Sequence, residues 1–121
     1  MMLRRSLLLF ALVALMQAAL AGVPPAEQAR IDRLIGFVGS QADAQFIRNG
    51  AAYSGKDAAS FLRGKLDKIG EHVGTAQQFI EQIASKSSTS GQAYLIRFAD
   101  GRVVTAAEFL GSELRRMDAA Q

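Results

Sequence analysis

Five hydroxyl side chains, Ser85, Ser87, Ser88, Thr89 and Ser90, stand with Lys86 and Gly91 in the stretch ASKSSTSGQAYLIRF. A second polar group, Arg48, Asn49 and Tyr53, flanks the turn signal Asn49-Gly50. Hydroxyls beside a lysine suggest a phosphate cradle or a serine nucleophile, and arginine with tyrosine suggests a recognition surface. Each chemistry makes a demand on position. Phosphate is favoured at a helix N-terminus, where unpaired amides and the positive dipole end point at the anion. The serine stretch instead follows a helical pattern and enters a strand pattern, which is the wrong end. There Lys86 complements the negative end of the helix, and the hydroxyls satisfy its last carbonyls and form local turns. A nucleophilic serine needs a base. Neither a Gly-x-Ser-x-Gly elbow nor a Ser-x-x-Lys pair occurs in the chain. His72, the single histidine, lies between Glu71 and Val73 in a stretch bracketed by Gly70 and Gly74, and reads as a solvated loop residue. One histidine with scattered carboxylates makes no metal cluster, and no spacing marks a carboxylate pair for glycoside cleavage. Cysteine is absent, which removes thiolate ligands, cysteine nucleophiles and disulfides. The expectation is a protein that is not an enzyme and carries no cofactor or metal. Its candidate binding surface is Arg48, Asn49, Tyr53, Lys86, Ser87, Ser88, Ser90 and Tyr94.

The elements that must position these residues follow from periodicity. Ala29, Ile31, Leu34, Ile35 and Val38 repeat at helical spacing behind Pro24-Pro25, predicting a helix from about Ala26 to Val38. Ser54 with Asp57 marks a helix start, and Ala58, Phe61, Leu62, Leu66 and Ile69 carry that helix from about Gly55 to Ile69. This start argues against a two-residue hairpin at Asn49-Gly50, although such a hairpin is possible in principle. Gly64 inside the helix costs about 1 kcal/mol relative to alanine unless another element approaches there. Thr75 with Gln78 opens a third helix, whose stripe is Ala76, Phe79, Ile80, Ile83 and Ala84. Tyr94, Ile96 and Phe98 alternate as a strand, Asp100-Gly101 turns, and Arg102-Val103-Val104 returns. Thr105 with Glu108 then starts a last helix bearing Phe109, Leu110, Leu114 and Met117. The fold class is α+β, with about four helices packed on a small antiparallel β-hairpin.

The chain has 121 residues and opens Met1-Met2-Leu3-Arg4-Arg5, followed by an apolar run and Ala19-Leu20-Ala21-Gly22. A basic start, a short apolar stretch and an Ala-x-Ala site are the pattern of a secretory signal peptide over residues 1–21. The run is shorter than the roughly 20 residues of a membrane span, so no stable span is expected once the leader is cleaved. Residues 22–121 then form a single domain. Loss of Arg4 and Arg5 reduces the 14 basic residues to 12 against 11 acidic ones, a net charge near +1. That balance gives no electrostatic case for a nucleic-acid partner.

The block Phe46-Ile47-Arg48-Asn49-Gly50, Tyr53, Ala58-Ala59, Leu62 and Lys65 resembles one part of the YfeK-like family of small exported bacterial proteins. Thr75-Ala76, Phe79-Ile80, Ile83 to Ser88, Ser90-Gly91, Tyr94 and Asp100-Gly101 resemble its second part, with order and spacing both matching. The family carries a domain-of-unknown-function label, so the resemblance implies export to the periplasm and supplies no activity. Ala93 stands where that family is expected to favour proline. Separately, Ser90-Gly91-Gln92-Ala93-Tyr94 is similar to the Ser-Gly-x-x-Tyr motif of periplasmic lysozyme inhibitors.

Three readings follow. The first is a non-catalytic binding module for an envelope component, either a protein or a cell-wall saccharide. The second is a periplasmic inhibitor of a cell-wall hydrolase, favoured if Ser90 and Tyr94 project together from an exposed tip. The third is a hydrolase without a usual motif, favoured if Arg48, Tyr53, His72 and Ser88 share one cleft. Helix three must return beside helix two, since a short loop joins them. The two polar groups are therefore expected to face a common shallow cleft.

Overall fold

A computed structural model describes residues 22–121; the signal peptide expected over residues 1–21 lies outside the described residues. The chain forms α1 (Pro25–Gly39), β1 (Gln45–Arg48), β2 (Ala51–Tyr53) and α2 (Gly55–Ile69). It continues with α3 (Ala76–Phe79), a π-helical turn (Ile80–Ala84), β3 (Leu95–Arg97), β4 (Val103–Thr105) and α4 (Ala106–Ala119). Among the described residues, four helices and a four-stranded antiparallel sheet make this an α+β fold. Among the described residues, no helix is long and apolar enough to cross a membrane.

The helix starts are where local chemistry put them. Ser54, Thr75 and Thr105 each stand in extended backbone, and each hydroxyl oxygen accepts from the amide three residues on, at 3.0–3.1 Å. At α3 the Gln78 side chain reaches back to the Gly74 amide (2.7 Å) instead of that of Thr75. Glu27 adds a tertiary clasp: one carboxylate oxygen accepts from the Ala76 amide, the other from Arg30, which also grips Asp118 of α4. The stripe of helix three is buried as expected, but its second half winds as a π turn. Over so few residues an apolar stripe fits either winding, so periodicity did not separate them.

The argument against a hairpin at Asn49-Gly50 is overturned. β1 and β2 pair as Phe46 with Tyr53, Ile47 with Ala52 and Arg48 with Ala51. Asn49 and Gly50 both take positive φ (51° and 80°), the signature of a two-residue turn that matches strand twist. The helix start does not compete with it. Tyr53 ends the strand, and the very next residue, Ser54, is already the cap.

The expected single hairpin is thereby doubled. β1 pairs antiparallel with β3 (Phe46 with Ile96), giving the order β2-β1-β3-β4. Pairing places Phe46, Tyr53, Ile96 and Val104 on one face of the sheet. That face packs on the helices, with Ile96 fully buried beside the α1 stripe of Ile31, Leu34, Ile35 and Val38. The same two-residue alternation sends Arg48 and Tyr94, each two positions from a core residue, to the helical side at one end of the sheet. Ala93 forms an isolated bridge with Lys86 as the chain enters β3.

Candidate functional site

Arg48 leaves the end of β1 half-buried and reaches the Phe61 side chain of α2. Its guanidinium carbon is 4.2 Å from the Phe61 ring centre and 5.4 Å from that of Tyr53. Both are cation–π distances. Phe61 meets Tyr94 edge-on at 5.9 Å. One helical turn beyond Phe61, Lys65 Nζ donates to the Tyr94 hydroxyl (3.0 Å) and to the Lys86 carbonyl (2.8 Å). Burial, and after it the Arg48 charge, hold the Lys65 ammonium below the ordinary lysine range. Burial pushes the Tyr94 phenol up, against an opposing pull from Arg48.

The serine loop closes on itself. Ser87 N donates to Gln92 O (2.9 Å), Gly91 N to Ser87 O (3.0 Å), and Tyr94 N to Ser85 O (3.0 Å). Ser87 is buried, and its hydroxyl oxygen accepts from the Thr89 and Ser90 amides at 3.4 and 3.3 Å. Ser85 Oγ donates to the Glu81 carbonyl (2.7 Å), satisfying the end of the helical segment. These are the local bonds that make serine and threonine turn residues. The hairpin turn then locks onto this loop. Asn49 Nδ2 donates to Ser87 Oγ (3.4 Å), and Ser90 Oγ donates to Asn49 Oδ1 (2.5 Å).

The two polar groups therefore meet. Arg48, Asn49, Ser87, Ser88 and Tyr94 line one open groove of about 450 Å³. The other expected residues contribute differently. Tyr53 lines a neighbouring apolar chamber and touches the groove through Arg48. Ser90 stands behind Asn49, and the exposed Lys86 offers its carbonyl to Lys65. Thr89 and, at the end of α2, Ile69 also line it, and the rest of the wall belongs to α2 as well: Phe61, Gly64, Lys65 and Lys68. Sequence reasoning did not assign these, although their offsets of three, four and seven form a helical stripe beside the apolar one.

The charge in this groove is one-sided. Arg48, Lys65 and Lys68 line it, no carboxylate does, and among the described residues none of the three forms a salt bridge. Its chemistry is that of a donor surface over two aromatic rings. Lys65 bonds a phenol and a carbonyl rather than a serine hydroxyl. His72 is 85% exposed, beside Glu71, and does not line the groove. The convergence that would favour a hydrolase is thus not formed. Tyr94, only 7% exposed and held by Lys65, does not project with Ser90 from a tip as the inhibitor motif requires.

Comparison with known proteins gives a family. Residues 25–118 match the family described as "Family of unknown function (DUF5329)". The chain is also similar to "Uncharacterized protein YfeK" of Salmonella typhimurium, 40% identical over 76 residues. That match covers 63% of this chain and 63% of the relative, short of two thirds of the relative's length. No solved structure matches the chain.

Proposed function

The chain belongs to the DUF5329 family, whose function is unknown, and we propose that it is an exported, non-catalytic binding module of the bacterial envelope. On this reading it takes an anionic envelope component in the groove between the serine loop and α2. A single observation carries the reading. Arg48 and Lys65 converge beside the Asn49, Ser87 and Ser88 polar groups without any carboxylate lining the groove to neutralise them. Half-buried cations without a counter-charge gain charge-assisted hydrogen bonds when an anion arrives.

Titration of the protein with inorganic phosphate and with soluble muramic-acid-bearing cell-wall fragments tests this directly. Arg48→Gln and Lys65→Gln are each expected to weaken binding by about tenfold or more, the scale of one hydrogen bond to a charged group. Affinity should also fall as pH rises through the lowered Lys65 range, because the neutral amine no longer attracts an anion. Binding of both probes unchanged in both variants would remove the groove from consideration.

The periplasmic part of the proposal rests on the leader pattern. Protein purified from its native envelope fraction is expected to have the intact mass of residues 22–121. A full-length mass recovered with the membranes would overturn it.

A further inference from the structure

The cationic groove has an apolar neighbour that shares its wall. Arg48, Phe61 and Tyr94 line the groove on one side and, on the other, a half-enclosed chamber of about 250 Å³. The chamber's space comes from small side chains where three segments converge: Ala58 of α2, Ala84 closing the π turn and Ala106 opening α4. Leu62, Leu110 and Val38 complete an almost wholly apolar lining. Along α2 the order is Asp57, Phe61, Lys65, each about 6 Å from the next at 1.5 Å per residue. The chamber therefore lies toward the Asp57 end of the helix and the groove toward its Lys65 end, with Phe61 between them.

From this juxtaposition we infer that the occupant is a single-chain amphiphile with an anionic head, its head at Arg48 and Lys65 and its hydrocarbon tail in the alanine-walled chamber. The inference rests on the groove reading proposed above and adds the ligand's class. An apolar cavity of about 150 Å³ holds benzene, so 250 Å³ has room for about ten carbon atoms in proportion. An unfilled space of that kind forfeits contacts that an alkyl chain would supply. Asp57, which also lines the chamber, fixes the polarity by disfavouring an anionic head at its end. Arg48 can serve both compartments, since its methylene stem is apolar and its guanidinium is not.

The experiment is a calorimetric series of straight-chain alkanoates from acetate to dodecanoate, kept below micelle formation, with matching alcohols and alkyltrimethylammonium ions as controls. Alkanoate affinity should rise by roughly three- to fourfold per added methylene, the value of burying one CH₂, and level off near ten carbons. The alcohols and cations should bind at least tenfold more weakly. Ala58→Leu, which fills the chamber, should abolish the length dependence and leave phosphate binding unchanged. Ala106→Leu provides the same test should Ala58→Leu fail to fold. A flat series with phosphate binding intact would overturn the amphiphile and spare the groove. Alcohols binding as tightly as alkanoates would overturn it too, since the cations would then play no part. Failure of every anion, phosphate included, would sink the groove reading itself.

Discussion

Phe79→Ala is expected to lower the unfolding free energy by about 3–5 kcal/mol, the usual cost of emptying a phenylalanine site in a core. Phe79 is fully buried and ends the α-helical part of helix three, immediately before the π turn. Its ring stands in the cluster that joins the α1 stripe, Ile96 of the central sheet and Leu110 of α4. Truncation there cannot be repaired by one neighbour moving, because the surrounding groups belong to several elements. A domain of this size is stable by about 5–15 kcal/mol in all, so the loss is a large share of the total. Urea denaturation followed by circular dichroism gives the number, and Phe79→Leu, which keeps most of the volume, provides a folded comparison. A change below about 1.5 kcal/mol for the alanine variant would mean the core collapses around the gap more freely than its packing suggests.

Gly55→Ala is expected to destabilise by about 1–3 kcal/mol, the range for forcing extra atoms into packed structure. In most helix positions glycine to alanine is a gain. At Gly55 a Cβ would lie 2.5 Å from the Val38 carbonyl oxygen and 2.9 Å from that of Gln41. Both are backbone atoms, so no side chain can rotate away. The end of α1 and the start of α2 must separate, and β2, parted from Gly55 only by Ser54, should move with them. Gly64 is the internal control, because a Cβ there meets nothing within 4 Å. Gly64→Ala should stabilise by about 0.5–1 kcal/mol, since its backbone entropy cost is removed without a clash. Gly64 also lines the groove, so the same variant should bind phosphate no better despite folding better. If Gly55→Ala melts at or above the unmodified protein, the tight approach of the two helices has been overread.

The contrast between these glycines shows what a sequence carries and what it does not. Both are single glycines in helix two, and their local sequence does not say which has a tertiary neighbour against it. Gly64 was the one that invited a close-approach explanation, and it has open space; Gly55, at the helix start, has backbone on two sides. The serine loop followed the opposite course. Its hydroxyls bond amides and carbonyls within a few positions, which is why turn chemistry was readable there before any fold was known.

Interactions closed within about four residues were therefore determined by the sequence itself: the three helix caps, the apolar stripes of α1, α2 and α4, the Asn49-Gly50 and Asp100-Gly101 turns, and the α+β class. Even there the hairpin was misjudged, because two valid local signals, the Asn49-Gly50 turn and the Ser54 cap four positions on, were treated as rivals when they are sequential. What only the tertiary structure decided is the pairing of β1 with β3, across some fifty positions. That pairing turns two hairpins into one sheet and carries Arg48 and Tyr94 to the same end of it. The wall supplied by Phe61 and Lys65 depends on which face of α2 meets that end. No local spacing encodes such a choice, because it is made by burial of the whole apolar set at once, and the polar residues go wherever that burial leaves them.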